Sequence, residues 1–346
     1  KRLNNITYIS TENMLPNKGG ITEASSLPSI VLTQEYRKGD VLVSNIRPYF
    51  KKIWQAKYDG GCSNDVLVFT PNPMTDKDFL YYVLANDEFF LYSMATSKGT
   101  KMPRGDKDSI MQYEIPDIGL DRQRKIASVL KSLDDKIQLN IAINNNLLEQ
   151  ASSIYQAWFE DFILSDRSCP TAWKQGTLAE IADITSGKRP PVKSAEKTDT
   201  AIIPIVGAAS VMGYTTEANH TDKILVTGRV GTHGVVQRFN LPCWTSDNTL
   251  VITSVFYEYT FQILQRINYR AMNRGSTQPL ITQSDMNKVP ILIPDKETLL
   301  KFETLVGQLM EQYQANLLEN GKLVELRDVL LPQLMSGELD VSNLCL

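Results

Sequence analysis

A chain of 346 residues, 42% hydrophobic and 22% charged, is long enough for two domains with separate cores and too apolar to stay disordered. No apolar run reaches the roughly 20 residues that cross a bilayer, and no secretory leader is visible. A net charge of −3 argues against a protein that coats nucleic acid by bulk charge, although it leaves room for local basic patches. Cys62, Cys169, Cys243 and Cys345 are scattered and form no CxxC pair, so neither a zinc site nor a disulfide framework is expected, and a reducing cytoplasm fits. The chain opens on Lys1 rather than Met, so trimming is expected at that end.

In chain order, DVLVSNIR (40–47) reads as a strand running into NIRPYFKKIWQAK (45–57). That arm holds Arg47, Lys51, Lys52 and Lys57 among Tyr49, Phe50 and Trp54, with no acid. A solvated edge strand explains such lysines about half the time, since edge Lys discourages aggregation. CSNDVLVFT (62–70) is a second strand, and 76–95 reads as a helix. A second basic loop, KGTKMPRGDK (98–107), weakens the edge-strand explanation. A long helix is expected from about 121 to 162, with Ile126, Leu130, Leu133 and Ile137 opening a heptad-like stripe interrupted at Asn140 and Asn144.

The second half repeats the order. DKILVTGR (222–229), TSDNTLVIT (245–253), NRGSTQP (273–279) and ILIP (291–294) match DVLVSNIR, CSNDVLVFT, SKGTKMP (97–103) and YEIP (113–116) at offsets of 182, 183, 176 and 178. A helix near 256–272 and a second long helix over about 296–334, interrupted at Asn316 and Asn320, complete the copy. Four blocks in one order at near-constant spacing indicate duplication of a whole module, not a solenoid of short repeats. The expected class is α+β: two duplicated mixed modules joined by two long helices that pair as a coiled coil.

Catalytic chemistry finds little support. His220 and His233 are the only histidines, and neither HExxH nor GxxxxGK[ST] occurs. GRVGTHG (228–234) continues into Val235 and Val236, so a tight hairpin fits better than a nucleotide-binding turn. Asp117, Asp134 and Lys136 mimic a nuclease carboxylate set, yet the last two lie on the long helix between Leu133 and Ile137, where helix surface charge explains them better. Arg and Lys beside Ser, Thr, Asn and Gln form the mixture that holds phosphates and reads base edges, and SGKRPPVK (186–193) adds to it. A coiled-coil scaffold binding only proteins remains the rival reading, with a metal-dependent DNA endonuclease behind it.

The tail LRDVLLPQLMSGELDV (326–341) is physically a helix stopped near Pro332, followed by a turn at Gly337. It resembles the terminal signature of specificity subunits of type I restriction–modification systems. CPTAWKQGTLAEIADITSGKRP (169–190) resembles the opening of their target recognition domains, and DRQRKIA (121–127) resembles a helix-entry element that ETLLKFETL (297–305) keeps less well. The first module lacks the Trp-containing opening. Its counterpart of PIVGAASVMGYT (204–215) is YISTENMLPNKGGIT (8–22), so residues of that recognition domain are expected to be missing before it.

The resemblance covers essentially the whole chain. It implies recognition domains at 1–118 and 166–295, conserved helices at 119–165 and 296–346, and an internal pseudo-two-fold with the helices antiparallel. It implies a non-catalytic subunit that reads a bipartite double-stranded DNA target, one half per domain. Two modification subunits would bring S-adenosylmethionine, and restriction subunits would bring ATP and Mg; this chain itself needs no cofactor or metal. The expected DNA contacts are Arg47, Tyr49, Lys51, Lys52, Lys98, Thr100, Lys101 and Arg104 in the first module. In the second they are Lys188, Arg189, Arg229, Thr232, His233, Arg274, Ser276, Thr277 and Gln278. Trp54 and Phe50 are expected in the core. Arg327, Leu330, Leu331 and Leu334 are expected to touch the modification subunit, although core packing explains the leucines equally well.

Overall fold

A computed structural model describes residues 3–28, 33–272 and 280–341. The chain divides into two compact units, Lys1–Ile141 with Leu317–Leu346, and Ala142–Asn316.

In the first unit the strand Val41–Ser44 is buried along its whole length, as a Val/Leu run at the centre of a sheet should be. It pairs antiparallel with Ile53–Gln55 on one side and Val66–Phe69 on the other. Tyr8–Ile9 lies parallel to Gly60–Cys62. The second unit builds the same ladder. Ile224–Gly228 sits between Gln237–Phe239 and Thr249–Thr253, and Ile203–Val206 runs parallel to Trp244–Thr245.

The correspondence extends to single hydrogen bonds. Asn45 N–H donates to Asp65 O (2.8 Å) and Arg229 N–H to Asn248 O (2.9 Å); Ser63 N–H donates to Ile9 O (2.8 Å) and Ser246 N–H to Val206 O (3.0 Å). The carbonyl of Asn45 accepts from Gly105 (3.1 Å), and that of Arg229 from Ile281 (3.0 Å). The duplicated framework expected from sequence is therefore present, with one correction. Val43 faces Leu67 and Thr227 faces Leu250, so the first strand is offset by 184 residues, not 182. Arg229 corresponds to Asn45, and Arg47 corresponds to Gly231; both of the latter have positive φ, 50° and 79°. Matching Asp40 to Asp222 misses this because the backbone ladder, not the leading acid, fixes register.

The units differ at their edges. In the second, Asp183–Ser186 flanks Thr249–Thr253, and Lys174–Thr177 pairs with Pro290–Ile293. Among the described residues, Val66–Phe69 and residues 113–116 have no such neighbour.

The helix expected over 76–95 is two helices, Lys77–Ala85 and Asp87–Ala95. Asn86 breaks it by taking extended dihedrals and capping Glu88 N–H. Residues 256–272 likewise divide into Tyr257–Arg266 and Tyr269–Met272. The first long helix is Leu120–Tyr155, ending in a π-turn over Gln156–Glu160. The second, Lys296–Ser336, passes through Pro332 instead of stopping there. Pro332 and Asp328 are both exposed, so water can satisfy the carbonyl that loses its donor.

Within the first unit, the parts of the two long helices it contains run antiparallel side by side. Arg327 ion-pairs with Asp134 (2.8 Å), Lys136 with Glu319 (3.2 Å), and Asn140 donates to Asn320 (2.8 Å). Ile126 and Leu130 bury against Leu331 and Leu334 in one cluster with Phe79, Tyr82 and Val83. In the second unit, Asn316 donates to Asn144 (2.8 Å), and Tyr155 and Phe302 meet edge to face.

Each unit also ties its long helix to a shorter one by a buried acceptor. Gln123 accepts from Asp76 N–H (2.8 Å) and donates to Ile118 O (2.8 Å). In the second unit Glu303 accepts from Glu258 N–H (3.0 Å) and Tyr259 N–H (2.8 Å). Both caps satisfy donors that the first turn of a helix leaves unpaired.

Burial raises the Glu303 pKa from the ordinary 4.5 to about 7, although the two backbone donors lower it; neighbouring Glu258 raises it and Arg238 lowers it. A carboxyl whose folded pKa is raised contributes stability below about 4.5 that is lost as pH rises through about 7. Thermal unfolding should therefore shift downward between pH 5 and 8, by roughly 2 kcal/mol, and Glu303→Gln should flatten that slope. Leu331→Ala should cost about 2–5 kcal/mol in denaturant unfolding, since the side chain is fully enclosed.

Candidate nucleic-acid interface

In the first unit the sheet brings the two basic segments together. Past Ser44 the chain leaves the ladder, and the loop from far downstream closes onto it: Arg47 N–H donates to Pro103 O (2.8 Å) and Ile46 bridges Arg104. The loop is itself closed by reciprocal bonds between Lys98 and Arg104, 2.8 and 3.0 Å. Arg47 and Lys51, both with positive φ, bracket a single 3-10 turn, Pro48–Phe50. That turn holds Tyr49 and Phe50 out, their rings 4.7 Å apart. Phe50 is thus exposed and not in the core, because the left-handed residues turn it away from the sheet. Trp54 is buried as expected, between Tyr36 and Tyr58.

The cations around this turn are not equivalent. The Nε of Arg47 is buried without a partner. Thr100 and Lys101 are exposed. Arg104 pairs with Asp65 (2.8 Å) and Lys98 with Asp106. Hydrogen bonds from Lys98 and Ser109 bring Asp106 down to about 2. Lys51 shares Asp87 with Lys18, at 2.8 and 3.0 Å. Burial raises the Asp87 pKa, but the hydrogen bonds from both lysines outweigh it and lower it. Lys52 donates its ammonium to Thr11 O (2.6 Å), and burial lowers its pKa. Lys52 therefore holds the arm to residues 8–22 and is spoken for.

Sequence reasoning missed Asn17 and Lys18. Their N–H groups donate to Phe50 O and Lys51 O, both 2.8 Å, which makes the turn at 16–20 the third wall of the cluster. The Pro-Asn-Lys-Gly-Gly composition signals a turn, but nothing local says which strand end it meets.

In the second unit Arg229 reaches Ser186 Oγ (3.4 Å), as does Gln283 (2.9 Å), so the strand end, Asp183–Ser186 and the helix Gln283–Asn287 converge. His233 Nδ1 lies 3.1 Å from Gly228 O, its Nε2 is buried without a partner, and Thr232 is exposed at the turn. Lys188 and Arg189 are exposed, and Lys188 is anchored through its backbone to Thr245 and Trp244. Burial lowers the His220 pKa, and the charge of Lys188 lowers it further. Arg274, Ser276, Thr277 and Gln278 lie outside the described residues.

The remaining candidates are structural. Leu331 and Leu334 are core residues, Leu330 packs against them, and Arg327 is held by Asp134 and Asp328. Their side chains face the first unit's own interior, where the helix stripe buries them. Asp134 also accepts from Tyr82 (2.8 Å) and Lys136 is paired with Glu319, so the nuclease-like set is dispersed into packing contacts while Asp117 is exposed. Among the described residues no group of three or more His, Cys, Asp or Glu could hold a metal, and no helix is long and apolar enough to cross a membrane.

A model of the type I restriction modification DNA specificity domain matches residues 4–149 and again 170–327. The chain belongs to that family. It is 24% identical to the type I restriction enzyme HindI specificity subunit of Haemophilus influenzae, covering 97% of this chain and 94% of that one. It is 28% identical to the MjaIX specificity subunit of Methanocaldococcus jannaschii, over 77% and 70%. The crystal structure of the S subunit from M. genitalium shares the fold, with a TM-score of 0.55 at 18% identity over 94% of this chain and 91% of that one.

Arg47→Ala or Lys101→Ala should weaken DNA retention and lower the salt slope by about 1 each if the contact is to phosphate. Lys52→Ala should leave the slope alone and lower stability instead.

Proposed function

We propose that this chain is the DNA-specificity subunit of a type I restriction–modification complex, reading a bipartite double-stranded target through one unit per half-site. The observation that carries this reading is the repeated strand end. In both units the strand-end carbonyl at the Asn45/Arg229 position receives a distant loop, and polar or cationic side chains gather there. The family match over both halves supports the same assignment.

The chain carries recognition and no chemistry. Methyltransferase subunits, two in number, bring S-adenosylmethionine, and restriction subunits bring ATP and Mg; the complex works in the cytoplasm. Recognition domains at 1–118 and 166–295 and helices at 119–165 and 296–346 divide the labour. The long helices act as an antiparallel coiled coil under a pseudo-two-fold, and their length sets the gap between half-sites. The antiparallel contacts inside each unit support the helix pairing, and the family match favours DNA reading over a scaffold that binds only proteins. Half-site readers must match duplex rotation, about 34–36 Å per turn, so a spacer of fixed length is a specificity device.

The test is a map of adenine methylation in cells carrying the partner modification gene, with and without this chain. A bipartite motif methylated only in its presence is expected. Absence of any new motif, with the complex assembled, would overturn the reading. Removing one heptad from each long helix should change the gap in that motif and leave both halves intact.

A further inference from the structure

The second unit carries an element that the expected contacts leave out. Ile203–Val206 and Val211–Thr215 form a hairpin whose tip reads Gly-Ala-Ala-Ser-Val-Met, residues 207–212. Gly207 N–H donates to Ser210 O (2.8 Å), closing a tight turn. Exposed turns are usually polar, whereas Val211 and Met212 are 43% and 39% exposed at adjacent positions.

That exposure is built in. Pairing slips between Val211 and Tyr214, and a bulge there breaks the alternation that would turn one of two neighbours inward. Gly213 permits it: its φ is 143°, and a Cβ would lie 2.4 Å from Ser194 O. Ser194 and Tyr214 exchange backbone bonds of 2.9 Å, so the bulge is locked against the 186–194 segment.

The tip is also placed. Gly207 O accepts from Gln237 Nε2 (2.8 Å). A Cβ on Gly228 would meet the Ala208 methyl at 2.9 Å, so the hairpin rests on the turn that carries Arg229 and Thr232. Lys188, Arg189 and Lys193 are exposed beside it and have no ion pair among the described residues. An apolar tip among unneutralised cations suits a polyanion that displays methyl groups. The major groove of DNA is such a surface: it admits a two-stranded ribbon, and thymine presents its 5-methyl there.

Resting on the specificity reading above, we infer that this hairpin is a base-reading element whose Val211 and Met212 contact thymine methyl groups in the half-site of the second unit.

The experiment uses the assembled complex and its own mapped motif at fixed salt. Thymines of each half-site are replaced in turn by deoxyuridine, which removes only the methyl. In one half the wild type should bind about fourfold more weakly per contacted methyl lost. Val211→Ala with Met212→Ala should bind the normal duplex more weakly and no longer distinguish thymine from uracil, while the other half-site is still read. Met212→Leu should keep the distinction, and Lys193→Ala should lose affinity in a salt-dependent way and keep it too. A double variant with unchanged affinity and discrimination would overturn the inference, as would a wild type indifferent to uracil in both halves. A wild type with no sequence preference on normal duplexes would instead overturn the specificity reading beneath it.

Discussion

A central strand that ends inside a folded unit leaves backbone groups that must still be paired, and in both halves of this chain the partner comes from far along the sequence. The carbonyl of Asn45 takes its hydrogen bond from Gly105, and that of Arg229 from Ile281. An unpaired buried carbonyl costs about as much as a lost hydrogen bond, so the return of the loop is obligatory. The consequence is local and chemical. It sets Arg47, Tyr49 and the 98–104 loop side by side in an otherwise acidic chain, and in the second unit it sets Arg229 and Gln283 together on Ser186.

The same economy governs the long helices. Their stripes are too apolar to stand in water, and each unit buries its share of both against its own short helices, Phe79 and Tyr82 in the first, Tyr257 and Tyr259 in the second. Gln123 and Glu303 add a directional tie, because a cap bond is satisfied in only one placement of the short helix on the long one. Orientation of the short helix and its position along the long one are thereby linked through one side chain per unit.

Much of this was legible in the sequence because duplication is a non-local signal that survives divergence. The strands, both long helices and the conjunction of a basic arm with a basic loop follow from pattern and repeat. What escaped was set by partners distant in the chain. The two-residue slip that separates Arg47 from Arg229 is visible only in the ladder. Phe50 looked like core until the left-handed turn at Arg47 and Lys51 exposed it. The sequence leaves Lys52 free, whereas Thr11 takes its ammonium, and of the two readings open for Leu331 and Leu334 the packing of Ile126 and Leu130 shows the core one. Pro332 misled for a different reason: a helix can carry proline where water reaches the abandoned carbonyl.

The places where the two units differ say which parts of the framework are free to change. Sheet edges differ: Thr249–Thr253 has a neighbour that Val66–Phe69 lacks among the described residues. The turn residues differ as well, from Ser-Thr-Glu-Asn at 10–13 to Gly-Ala-Ala-Ser at 207–210, and with them the chemistry offered to a partner. The three-strand centre of the ladder and the strand-end bond to the downstream loop do not differ. Positioning is thus carried by backbone hydrogen bonds, which tolerate almost any side chain. Exposed side chains at the turns are under no such constraint, so a chain built this way can change the chemistry of a turn without moving it.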